Sequence, residues 1–244
     1  MSGPDLGARL TLASLLVISL SPGSAVAWPT WTPTGQPVVV AFGAQRWLNA
    51  TPDGQGGTLV VCHEADVTPN RIRVQRLNAS GVPQWGATGV VVCGNASGVR
   101  FQARVVADGL GGAYVVWTDI RDPIYAHIYG QHVNAAGVPQ WTADGIAVMS
   151  PTGDSVVSPD AVSDGVGGVL LTCWDSASRA RVYAQRVNAS GQLLWGGSEC
   201  RVLPNGPLQN MQPKVVSDGA GGAIVVWSHE VVSGGRWTVS GARL

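Results

Sequence analysis

Short apolar runs, separated by turns rich in glycine, aspartate and asparagine, set the pattern of this chain. Between Ala103 and Met149 the runs are ARVVAD, GGAYVVWTD, IYGQHVN and GIAVM. Each reads as a β-strand, and none carries a helical period. Asp-Gly between the first two runs favours a tight hairpin, because such a turn needs positive φ. The Asn-Ala-Ala-Gly after the third run, Asn-Ala-Ser-Gly in other units, supplies another turn by similar means. The second run is apolar on consecutive positions, Tyr114 to Trp117 and again Ile224 to Trp227, so both faces of its sheet must be covered. The unit is therefore a four-stranded antiparallel meander.

The unit recurs. Asp53, Asp108, Asp164 and Asp218 stand in the turn of a D-G-x-G-G motif at intervals of 55, 56 and 54, and Trp31, Trp85, Trp141 and Trp195 keep the same beat at 54, 56 and 54. Two markers in phase define a repeat array. An all-β fold follows, a β-propeller of four blades with four antiparallel strands each. GQPVVV near the start aligns with a fourth strand and TVSGARL at the end with a third. Val38 to Val40 is therefore expected to close the ring as the outer strand of the last blade, leaving no open edge. A piece of a longer array, or a larger ring built as a homodimer, is the alternative.

Ahead of the repeats, the eleven-residue run LTLASLLVISL is followed by Ala25-Val26-Ala27, the small-x-small pattern of a signal peptidase site. Residues 1–27 read as a secretory signal peptide and residues 28–244 as the propeller, which predicts a secreted or cell-surface protein. The run is well short of the roughly 20 residues that span a bilayer, and no membrane span is expected in the mature chain. Fifteen basic residues balance fifteen acidic ones, so no net field draws the protein to nucleic acid. At 45% hydrophobic and 12% charged, the chain has enough apolar side chains for a sizeable core.

The pattern D-G-x-G-G with a Trp-ended strand, then Q-R-V-N-A-S-G and a further Trp, resembles repeats of exported bacterial propeller-like proteins. The resemblance runs from Trp31 to Leu244 and implies fold and export but no activity. The chain departs from it at Cys62 and Cys173, which stand where Trp117 and Trp227 stand in the other blades.

Several residues invite a chemical role. Cys62 and Cys93, and Cys173 and Cys200, fall on the second and fourth strands of one blade, which sets them roughly 9 to 10 Å apart, beyond disulfide reach. Buried thiols are expected and no disulfide. The repeat aspartates are expected to cap their own turns, and Gln75, Gln131 and Gln185 to hydrogen-bond within the third strand. No metal-binding spacing, phosphate loop or catalytic triad order is present, so neither metal nor cofactor is expected and catalysis is left open.

Positions where the blades differ are the candidates for function. Four residues before each repeat Asp stand Asn49, Arg104, Asp160 and Lys214, one per inner strand, around the expected channel. They read equally as a self-satisfied ion-pair cluster and as a ligand site. Asp119, Arg121, Asp175 and Glu230 fall in the variable loops, the usual carriers of recognition. The leading functional expectation is a secreted, non-catalytic binding module for a protein or glycan ligand. The alternatives are a glycan-active hydrolase or lyase on the same face, or a passive spacer.

Overall fold

A computed structural model describes residues 35–41, 43–94, 97–176, 181–203 and 210–244, all within one compact unit. The expected signal peptide and Trp31 lie outside the described residues. Among those described, no helix is long and apolar enough to cross a membrane.

Four antiparallel sheets follow one another along the chain. The first holds β1 (Gln45–Pro52), β2 (Thr58–Glu64), β3 (Arg71–Leu77) and β4 (Val90–Cys93) in sequence order. The second holds β5 (Val99–Ala107), β6 (Ala113–Ile120), β7 (His127–Val133) and β8 (Ile146–Met149) in the same order. The third repeats it with β9 (Val156–Ser163), β10 (Gly168–Asp175), β11 (Val182–Asn188) and β12 (Arg201–Val202). The fourth has three strands, β13 (Asn210–Ser217), β14 (Ala223–Val232) and β15 (Arg236–Arg243). These are the meanders that the alternation of apolar runs and turns predicts.

The repeat motif builds the hairpin between the first two strands of each blade. Asp108 Oδ1 accepts from the N–H groups of Leu110 at 2.7 Å and Gly112 at 2.8 Å, and Asp53, Asp164 and Asp218 do the same in their own turns. Gly109 takes the left-handed φ of 81° that the turn needs. Gly112 is required for space, since a Cβ there would run into the Val133 carbonyl and the Asp108 carboxylate.

The second carboxylate oxygen of each Asp reaches a basic residue on the third strand. The partners are Arg76 at 2.9 Å, His132 at 3.0 Å, Arg186 at 2.9 Å and Arg243 at 2.9 Å. The glutamine before three of these residues ties the third strand to the segment that leads to the fourth. Gln131 Oε1 accepts from the N–H groups of His132 and Trp141, while its Nε2 donates to Thr142 O. Gln75 and Gln185 repeat the clamp.

Blade-to-blade packing uses the two faces of the second strand separately. Leu59 and Val61 of β2 meet Val115 and Trp117 of β6 in one apolar cluster. Tyr114 and Val116, on the opposite face of β6, meet Val169, Leu171 and Cys173 of β10 in another. Leu170 then joins Val225 and Trp227 of β14 in a third. A Trp on each of two blades also latches the next one, Trp85 Nε1 donating to Ala135 O at 3.1 Å and Trp141 Nε1 to Ala189 O at 2.9 Å. The inner strands β1, β5, β9 and β13 pack in series as a result.

The two ends of the series differ from the sequence expectation. Among the described residues β13 does not pack on β1 as the other inner strands pack on each other. Ile224 and Val226, equivalent to the buried Tyr114 and Val116, are 40% and 39% exposed. Val38 to Val40, expected to complete the fourth sheet, is bound instead at the first blade, where Val40 N–H donates to Ala87 O at 2.8 Å. The fourth sheet stays three-stranded. Ser150, just after β8, donates in the same way to Ser198 O of the following blade at 2.9 Å. The N-terminal segment thus takes the position an outer strand holds toward the blade after its own.

Candidate functional site

Every inner strand carries a bulge at the same place. Trp47, Gln102, Ser158 and Gln212, each six positions before its repeat Asp, have φ of 51°, 56°, 56° and 53°. The ladder slips there, between Arg46 and Asn49, Phe101 and Arg104, and Met211 and Lys214, and in β9 between Val157 and Asp160. A left-handed φ is costly for a residue with a side chain and persists only where the surrounding sheet imposes it. The bulge turns the inner strands so that the residues just after it face a common space.

That space is a cleft of about 510 Å³ lined by Asn49, Arg104, Asp160 and Lys214 together with neighbouring inner-strand residues. All four axial residues chosen from the repeat are therefore brought together. Two of them stitch adjacent blades: Asn49 Oδ1 accepts from Val105 N–H and Asp160 Oδ2 from Val215 N–H, both at 3.1 Å. The intervening positions hold cations, which cannot accept such a bond. Lys214 Nζ donates to Asp160 Oδ1 at 3.1 Å, with side-chain exposures of 62% and 20%. Arg104 donates from Nη1 to Ala103 O at 3.2 Å and forms no ion pair among the described residues. The cluster is open to solvent and only partly self-satisfied.

Beside the cleft, sharing Leu48 and Arg104 with it, lies a second space of about 460 Å³ bounded by Trp47, Phe101 and Gln102. Trp47 is 59% exposed. Its ring and that of His63 are T-shaped to each other, with centroids 5.7 Å apart and planes at 86°. His63 is buried, which pushes it down to about 4, and its Nε2 accepts from Ala103 N–H. The sequence reading passed over Trp47 and Phe101. Their signal was available in the repeat register, where Trp47 aligns with Gln102, Ser158 and Gln212 and is the single aromatic of the four.

Of the residues expected in the variable loops, only Arg121 lies outside a strand; Asp119, Asp175 and Glu230 fall near the ends of β6, β10 and β14. Asp119 is fully buried, accepting from Trp117 Nε1 at 2.8 Å and paired with Arg121 at 2.7 Å and Arg100 at 3.4 Å. Arg121 lies 3.7 Å from the centroid of the Tyr129 ring. Asp175 is also buried and accepts from Arg181 N–H at 3.2 Å. Glu230 caps its own hairpin through Gly234 N–H at 2.6 Å. These four do not converge with the axial residues. All four cysteines are buried.

No protein-family model and no curated protein matches the chain. Similar solved structures include an endo-arabinase and an endo-1,4-beta-xylanase, both from Bacteroides thetaiotaomicron. The first is 16% identical over 76% of this chain and 70% of its own, with a TM-score of 0.42. The second is 9% identical over 86% and 81%, with a TM-score of 0.44. An alpha-L-arabinofuranosidase from Lactobacillus brevis is 14% identical over 78% and 75%, with a TM-score of 0.43. All three are named as enzymes, and the expectation of a non-catalytic binding module is corrected accordingly. No activity, residue role or substrate passes from these structures to this chain.

Proposed function

We propose that the protein is a glycan-active hydrolase or lyase that works at the axial cleft. One observation carries the reading: four inner strands deliver Asn49, Arg104, Asp160 and Lys214 to one solvent-open cleft beside the exposed Trp47. The parts have separable tasks. Asp160 is the group able to take or give a proton. Arg104 and Lys214 stabilise negative charge that develops on a reacting oxygen. The Asn49 amide, whose oxygen is engaged with Val105, keeps its NH2 donors for a sugar hydroxyl.

Hydrolysis by the usual pair of carboxylates needs a second acid about 5 to 9.5 Å from the first. Asp160 is the one carboxylate lining the cleft among the described residues. Elimination from an acidic sugar needs one base and cations to neutralise the sugar carboxylate, and the lining favours that branch. A polysaccharide panel scored for new reducing ends and for the ultraviolet absorbance of unsaturated ends separates the two. Asp160→Asn is expected to abolish turnover at a stability cost of about 0 to 1 kcal/mol, since Lys214 is largely exposed and an amide oxygen still serves Val215 N–H. Unchanged turnover in this variant, or none by the wild type on any polysaccharide, rejects the reading.

We further infer that the ring is one of four blades, closed when the segment around Val38 to Val40 pairs with β15. Support comes from its docking on the first blade through Val40 and through Gln36 Nε2, which donates to Gly81 O at 2.8 Å. The exposed apolar residues of the fourth blade, Ile224 and Val226, add to it.

A further inference from the structure

We propose that the ligand of the axial cleft is an acidic glycan, a uronate-bearing chain that stacks one sugar on Trp47 and sets its carboxylate on Arg104. The inference rests on the reading of the cleft as a glycan-active site and names its substrate class.

The charge around the cleft is uneven. Lys214 is answered by Asp160 at 3.1 Å, whereas Arg104 has no carboxylate partner among the described residues. His63 behind it stays neutral at physiological pH, since burial pushes it down to about 4. One positive charge is left over. A neutral sugar covering Arg104 would strip water from a half-buried guanidinium and return no counter-charge. A carboxylate returns it in the bidentate geometry that a guanidinium fits best.

Trp47 supplies the second half. The His63 ring packs against it at 86°, and the bulge holds its backbone at a φ of 51°. An indole ring 59% exposed offers apolar surface that suits the C–H face of a pyranose. Phe101 and Gln102 bound the same 460 Å³ space, and Arg104 is shared between it and the axial cleft. Ring and charge are therefore offered side by side.

The test is calorimetric titration of the full chain with three oligosaccharides of one length, a galacturonate, a neutral galactose and a sulfated galactose. The galacturonate is expected to bind at least about tenfold more tightly than either of the others, and less tightly as salt rises. Arg104→Gln is expected to remove that preference, and Trp47→Ala to weaken every oligosaccharide by about tenfold or more. Equal affinity for the neutral sugar overturns the acidic-glycan inference and leaves the glycan-active reading standing. Tighter binding of the sulfated sugar overturns the assignment of a carboxylate. Binding of none of the three overturns both. Should Arg104→Gln fail to fold by circular dichroism, the wild-type preference and Trp47→Ala decide the matter.

Discussion

Each repeat aspartate holds two jobs in one carboxylate. Burial pushes the Asp53 and Asp164 carboxyls up, but two backbone N–H groups and an arginine outweigh it and hold both below the ordinary 3.8. Asp108 is also lowered, with His132 in the arginine's place. A carboxyl lowered by folding contributes stability that is fully present above its ordinary value and is lost as pH falls through the folded one. The melting temperature is therefore expected to hold from neutrality to about pH 4 and to drop below it. In Asp164→Asn, which loses the charged partner of Arg186, stability at pH 7 should fall by about 1 to 2 kcal/mol and the acid limb should flatten. A limb that stays as steep would show that other groups govern acid unfolding. The thiols make a second residue-scale test. Burial pushes Cys62 and Cys93 up to about 11, so neither forms an appreciable thiolate at pH 7. Alkylation of the native protein is expected to be negligible and to become complete on denaturation; rapid native labelling would contradict the burial.

At the scale of the element, the third strand is held by its glutamine rather than by its own ladder alone. Gln131 is 1% exposed, and replacing it with alanine leaves the N–H groups of His132 and Trp141 without their acceptor. Gln131→Ala is expected to lower stability by about 2 to 4 kcal/mol in urea unfolding, the cost of stranding buried donors. A loss under about 0.5 kcal/mol would mean that water replaces the clamp. The strands and hairpins were legible from Asp-Gly and the apolar runs, because φ preference and burial are local consequences of residue type. The bulges were not. A left-handed Trp47 or Gln102 contradicts its own intrinsic preference, and only pairing with the neighbouring strand imposes it.

At the scale of the molecule, the open question is the join between the fourth and first blades. Residues 35–41 are anchored on the first blade by Gln36 and Val40. Their deletion is expected to lower stability by about 2 to 4 kcal/mol, the order of several hydrogen bonds and partly buried side chains. An unchanged melting temperature would reject closure by this segment.

From the sequence alone came the repeat, its four meanders, the turn role of each aspartate, the hydrogen-bonding role of the glutamines and the set Asn49, Arg104, Asp160 and Lys214, since all are written in residue type at a fixed interval. Tertiary structure decided which of the variable positions share a space. Asp119 and Asp175 look as polar in sequence as Asp160 does, yet they are fully buried while Asp160 reaches the cleft. Trp47 reads as one more apolar strand residue until the bulge leaves it outside the core. The difference is burial and direction, which depend on packing between blades and on where the ladder slips, and neither quantity is carried by any single stretch of chain.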